Sequence, residues 1–238
     1  MSNIKGYIIS SKYENDRRAN VELLLNLFPE LIHQEAIYPQ YQKIPFLNKL
    51  LSLSKKRTGH QLRLGELGCL LSHRKIWREI INSKFHKNKN FLIFESDSEI
   101  KDFDFIKNQF ENIENKYDLF FWGAWEGYLK IYRSSKVKVE NRSIGVPFIK
   151  SVYCTYGYSL NKKAAAYLLN KTKKINYPVD QFKRFISENE LKIGAVIPEV
   201  ISSNSKKSYI KEKSLNEISL KLFHFVLDVK NTIICYFK

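Results

Sequence analysis

The chain has 238 residues, 44% of them apolar and 27% charged, enough to build a full core in one globular domain, which sets disorder aside. Its formal net charge of +16 concentrates anionic partners near the surface. The cations are mostly scattered Lys with no arginine-rich cluster or RNA-binding signature, so nucleic acid is not the expected partner.

The first 18 residues, MSNIKGYIISSKYENDRR, hold an apolar run too short for a signal segment. Within it, residues 5–10 (KGYIIS) predict a buried strand, after which Asn15 and Asp16 offer caps to a helix carrying Val21, Leu24, Leu25 and Phe28. Residues 32–38 predict a second strand. Residues 44–60 read as a helix or turn ending in the basic loop SKKRTGH, whose Lys55, Lys56 and Arg57 either meet a phosphate or are simply solvated.

Residues 65–82 predict a strong amphipathic helix with Leu67, Leu70, Leu71, Ile76, Ile80 and Ile81 on its apolar face. Seven residues make about two turns, so Glu66 and His73 are expected to point the same way. The run FLIF at 91–94 predicts a buried strand that stops at Glu95, Ser96, Asp97, Ser98 and Glu99. The carboxyl end of such a strand is where open α/β sheets put ligands. Acids there either hold a hard divalent cation against a diphosphate or cap the helix that follows.

A helix through Phe105 and Phe110 precedes a strand at 118–123, which leads into the aromatic loop of Trp125, Glu126, Gly127 and Tyr128. Residues 152–160 predict another strand, followed by a helix capped by Asn161. Pro178 is expected to start a helix with Asp180 in its first turn, and 193–200 to form a late strand. The basic tail from Lys206 carries apolar residues at Leu215, Ile218, Leu222, Phe225, Val226 and Val229, suiting an amphipathic helix that lies on an anionic membrane or packs on the domain. No segment reaches the roughly 18–20 apolar residues of a membrane span. Cys69, Cys154 and Cys235 stand far apart, without metal-ligand spacing, and fit a reducing compartment.

The run GELGCLLSHRKIW, followed about twenty residues later by LIFESD, resembles the two hallmark segments of glycosyltransferase family 25. Further resemblance lies in Arg17 and Arg18, in TYGYSLNKKAAAYLL from Thr155, in YPVD ending at Asp180, and from Pro198 through Tyr209 and Ile210. This resemblance implies a GT-A-like α/β fold with a mixed, mostly parallel sheet flanked by helices. It implies a UDP-sugar donor, galactose first, and an inverting transfer assisted by Mn²⁺ or Mg²⁺.

Carried over by position, the family's Glu-Asp-Asp element falls on Glu95, Ser96 and Asp97. Its middle acid is missing, which leaves Asp97 as first metal ligand with Glu95 in support. Asp180 is the first expected base and Glu126 the second. Arg17, Arg18, Glu66, Ser72, His73 and Glu95 are expected around the donor, and Trp125, Tyr128 and Tyr156 around the acceptor, since flat rings cover the C–H face of a hexose. Residues 1–205 are expected to form the transferase domain and 206–238 a helical tail. The acceptor expected is a lipid-linked oligosaccharide, and the place cytoplasmic, peripheral to the inner membrane. The rival reading is a non-catalytic, basic protein that binds anions or membrane surfaces.

Overall fold

The computed structural model describes residues 4–124, 127–187, 189–203 and 217–238. Short apolar runs set its centre. Strand β1 (Gly6–Ser10) and β3 (Phe91–Glu95) are buried along almost their whole length, as central strands covered on both faces must be. They pair in parallel with each other, and β2 (Leu31–Glu35) pairs in parallel on the outer side of β1. Helix α1 (Arg18–Leu27) makes the first crossover, and α2 (Leu47–Thr58) and α3 (Leu64–Asn82) fill the second. Residues 44–60 are thus helical over most of their length.

The main sheet gains β5 (Leu119–Phe121), β6 (Val137–Val139), β7 (Arg142–Gly145), β8 (Gly157–Leu160) and β9 (Ile193–Ile197), in the order β2-β1-β3-β8-β5-β9-β7-β6. A separate hairpin-like pair joins β4 (Ser98–Ile100) to β10 (Ile201–Ser203), antiparallel. The sheet is mixed, as expected, but it is not mostly parallel. Strands β7 and β8 run against the others, and each sits between two neighbours, which makes the pairings β3–β8, β5–β8, β6–β7 and β7–β9 antiparallel. Only β1–β2, β1–β3 and β5–β9 are parallel.

The two faces of the sheet follow from the period of two along each strand. Tyr7, Ile9, Phe91, Ile93, Leu119 and Phe121 face α3 and α5 (Lys162–Lys171), against Leu70, Ile76, Trp77 and Leu168. Their neighbours Ile8, Leu92, Phe94, Phe120 and Trp122 face the other way, onto α1 and α4 (Phe103–Lys116). The result is a three-layer α/β/α stack whose parallel strands β1 and β3 end at one lip.

Several local expectations are corrected. Asn15 and Asp16 lie in a one-turn 3-10 helix, Asn15–Arg17, and neither caps α1, whose N-cap position is Arg17. Residues 178–181 form a turn rather than a helix start: the next helical turn is the short Phe182–Arg184, so Asp180 sits before it. The strand expected at 152–160 begins only at Gly157, because Ile149–Ser151 is a 3-10 turn and Cys154 adopts φ 71°. Asn161, by contrast, caps α5 by accepting from the Ala164 N–H at 3.0 Å.

The tail supplies α6 (Glu217–Phe237). Cys235 and the partly buried Ile234 pack against Tyr132 and Phe148, and Lys130 ion-pairs with Asp228 at 2.7 Å. Of the apolar tail positions in the sequence, Leu215 lies outside the described residues, as do Tyr209 and Ile210, while Phe225, Val226 and Val229 stay exposed. No helix among the described residues is long and apolar enough to cross a membrane.

Candidate active site at the carboxyl lip of the sheet

A cleft opens where β1 and β3 end. Ile9 and Arg17 line it from the β1 side, Ala36 to Tyr38 from the chain leaving β2, Gly65, Cys69 and Ser72 from α3, and Glu95, Ser96 and Asp97 from β3. The wall formed by 36–40 depends on Gly68. A Cβ there would stand 2.3 Å from the Ile37 carbonyl oxygen and 2.8 Å from Pro39, so only glycine lets that segment cross α3. Ser72 fixes the same crossing, accepting from the Ile37 N–H at 2.8 Å and donating to the Gly68 carbonyl at 2.8 Å.

Glu95 is held by an ordered chain of side chains behind it. Trp77 donates its indole N–H to the Tyr158 hydroxyl at 3.0 Å, and that hydroxyl lies 2.7 Å from His73 Nδ1. His73 Nε2 lies 3.0 Å from Glu95 Oε1. An indole only donates, so the arrangement that satisfies every member sends the Tyr158 proton to Nδ1 and leaves the His73 proton on Nε2, pointing at the carboxylate. Thr155 donates to the same oxygen at 2.6 Å and Cys69 at 3.3 Å. Burial pushes the Glu95 carboxyl up, but the bonds from His73, Thr155 and Cys69 outweigh it and hold the group below the usual carboxylate range.

Asp97 has the opposite balance. Burial and then the charge on Glu95 raise its carboxyl above the ordinary value, against Arg17 and Ser203, which lower it. Its Oδ2 accepts from Ser203 at 2.9 Å and lies 3.5 Å from the Arg17 guanidinium. Its Oδ1 is buried without a hydrogen-bond partner. Asp180 shares that feature: its Oδ1 is likewise buried and unpartnered. Burial first, then the charges of Glu95 and Glu66, push the Asp180 carboxyl up to about 6. After burial, the charges of Asp180, Glu95 and Asp97 raise the thiol of Cys154.

An orphaned, buried carboxylate oxygen in a cleft is the kind of donor that a hard divalent cation takes. Asp97, which lines the cleft, has one such oxygen to offer Mn²⁺ or Mg²⁺. A second group, Cys69, His73 and Glu95, has ligand atoms within 4.8 Å of one another. There Glu95 Oε1 already accepts three hydrogen bonds, which accounts for the grouping without an ion.

The remaining expected residues fall in several places. Arg17 reaches the cleft, donating to Ser96 Oγ at 2.9 Å and to Glu14 at 3.2 Å, so Ser96 is occupied by Arg17. Arg18 does not: it is exposed, bonds Asn15 and lines a separate groove with His33 and Glu35. Glu66 turns back to accept from the Arg63 N–H at 2.8 Å, closing the first turn of α3, and acts on the site only through its charge.

His73 is wholly buried and cannot touch a donor; it reaches the site through Glu95. Tyr156 is 5% exposed, packed in the core beneath the sheet beside Gly123, which removes it as an acceptor platform. Tyr128 is half-buried in the turn after Gly127, and Trp125 and Glu126 lie outside the described residues.

Sequence reasoning missed Glu14, Asn20, Tyr38 and Thr155. Glu14 is buried and receives Arg17, the Tyr38 hydroxyl at 2.7 Å and the Ser11 N–H at 3.0 Å. Asn20 donates to the carbonyls of Ser96 and Ser98 and so pins the turn that carries Asp97. Only the spacing of Glu14 and Arg17, three residues apart, gave a readable signal.

The model of "Glycosyltransferase family 25 (LPS biosynthesis protein)" matches residues 3–183, which includes every cleft residue named above except Ser203. This chain belongs to glycosyltransferase family 25. The family 25 chain is also similar to procollagen galactosyltransferase 1 of Danio rerio, 30% identical over 138 residues, a match covering 52% of this chain and 20% of that protein. It therefore aligns with about a fifth of that relative's length.

Proposed function

We propose that this protein transfers a hexose, galactose from UDP-galactose first among candidates, with inversion onto a terminal sugar of a lipooligosaccharide or related surface glycan. The observation that carries the reading is Asp97, which lines the cleft with a buried carboxylate oxygen that has no hydrogen-bond partner, a feature that Asp180 shares. Galactose is supported by the name of the Danio rerio relative, and the bacterial surface glycan by the family description.

In this reading the donor diphosphate lies in the cleft beside Asp97, with Mn²⁺ or Mg²⁺ held by Asp97 and, in support, Glu95. Such a cation would neutralise the charge that develops on the leaving diphosphate. Arg17 holds Asp97 in register through Oδ2 and keeps Ser96 turned toward itself. The Trp77–Tyr158–His73 chain fixes Glu95 from behind.

Asp180 is the base. It takes the proton of the acceptor hydroxyl as that oxygen bonds to the anomeric carbon, and the bond from that carbon to the diphosphate oxygen breaks on the opposite side. A carboxyl pushed up to about 6 is ionised at neutral pH and is a stronger base than a solvated one.

The test is UDP release from a panel of UDP-sugars, with and without truncated glycolipid acceptors, for wild type, Asp97→Ala and Asp180→Ala. Acceptor-dependent turnover that drops at least about a hundredfold in both variants is expected. Unchanged rates in both variants remove the site assignment, and equal turnover without acceptor makes the protein a hydrolase.

A further inference from the structure

Over its described side chains, from residue 225 onward, helix α6 docks on the body through one side. Asn231 and Cys235 are buried, and Asp228 is tied to Lys130. At about 100° per residue, the positions 225, 226, 229, 233, 236 and 237 fall on the other side, within one arc of about 120°. There Phe225 is 66% exposed, Val226 59%, Val229 43%, Ile233 52%, Tyr236 59% and Phe237 82%. Six large apolar side chains in one exposed stripe are more than a soluble surface ordinarily carries without a partner.

The charge around the stripe indicates what covers it. Among residues 225–238 the charged side chains are Lys230, Lys238 and one acid, Asp228, which is neutralised by Lys130. The Arg133 guanidinium lies over the Tyr236 ring at 4.4 Å, and Lys230 is exposed beside the stripe. Two copies of a chain with net charge +16 repel each other, whereas an acidic bilayer attracts such a rim. No described helix is long and apolar enough to span a bilayer, so the geometry is that of a helix lying in the interface.

We infer that α6 is a membrane-docking helix that inserts this stripe into an anionic lipid surface and anchors the transferase domain there. Lipid binding is read without donor or acceptor, so the inference stands or falls apart from the transfer reaction.

The test is flotation of the full chain with vesicles of phosphatidylcholine alone and of an equal mixture with phosphatidylglycerol. Wild type should float with the mixed vesicles and much less with the neutral ones, and added salt should weaken the binding. The double variant Phe225→Asp/Ile233→Asp alters only exposed positions. It should bind roughly tenfold or more weakly, with the same melting temperature.

As a second measurement, the Phe237→Trp variant should gain a blue-shifted component of emission, absent from wild type, when mixed vesicles are added. Equal flotation of the double variant, indifference of wild type to lipid charge, or an emission spectrum of Phe237→Trp that vesicles leave unmoved would each overturn the inference. So would a concentration-dependent dimer, seen by sedimentation, that the double variant dissolves; that result would place a second copy on the stripe.

Discussion

Replacing Tyr158 with Phe removes one oxygen and no ring. In the native protein that oxygen accepts from Trp77 at 3.0 Å and meets His73 Nδ1 at 2.7 Å, and Tyr158 and both partners are almost wholly buried. The variant leaves an indole N–H and an imidazole nitrogen with no water to replace the lost partner. Each such buried group costs about 1–3 kcal/mol, so a total of about 2–4 kcal/mol is expected after partial relaxation. For a domain of this size that corresponds to a fall of about 5–15 °C in Tm. Urea unfolding should show the midpoint falling with an unchanged slope.

A double-mutant cycle separates this chain from simple packing loss: Trp77→Phe should cost at least about 1 kcal/mol less in the Tyr158→Phe background than in wild type. Additive costs, or a midpoint shift worth less than about 0.5 kcal/mol, would refute the ordered chain behind Glu95.

Asp180 gives a pH signature. Its carboxyl rises from 3.8 to about 6 on folding, so between those values the unfolded chain ionises while the folded one stays protonated. Stability of the metal-free protein should therefore fall as pH rises from about 4 to 6, by up to about 3 kcal/mol, and Asp180→Asn should flatten that slope in thermal melts. The same group should make kcat/KM fall as pH drops below about 6, an acid limb that a pH–rate profile will show or fail to show.

Gly68→Ala places a Cβ 2.3 Å from a backbone oxygen. It should destabilise by about 1–3 kcal/mol, the usual cost of overpacking, and raise the donor KM as the 36–40 wall moves; a fully stable, fully active variant would contradict the described crossing. Thr155→Val removes the 2.6 Å bond to Glu95 and should lower kcat at a saturating divalent cation while leaving Tm within about 2 °C. Asn161→Ala removes the cap of α5 and should cost about 1 kcal/mol without changing turnover.

Much of the layer structure was legible because its elements are long or strongly patterned. The period of α3, the unbroken run of β3 and the cap at Asn161 each name their own conformation. Strand direction was not legible in the same way. An unbroken apolar strand reads alike whether its neighbours run with it or against it, and the reversal of β8 is decided by chain path rather than by residues 157–160.

At the site, the acids at the end of β3 were visible as an abrupt change of composition. Their environment was not. Arg17 meets Ser96 across 79 residues and Thr155 meets Glu95 across 60, pairings that no local pattern encodes. The partners of Glu66 and His73 were hidden too: Glu66 lies in the first turn, where free backbone N–H groups recruit its carboxylate, while His73 turns to Glu95. Asp180 read as a helical acid because Pro178 suggested a helix start, yet the chain turns there before the short Phe182–Arg184 helix.

The reversed strand β8 also shapes how the protein must be made. During synthesis, β3 and β5 emerge well before residues 157–160 and remain without the strand that joins them, so each presents an unsatisfied flank to other nascent chains. Thr155, just ahead of that strand, reaches Glu95 only when the seam closes. The hydrogen bond behind Glu95 and the cover over these two flanks therefore form in one step, and a chain stalled before that point would lack both.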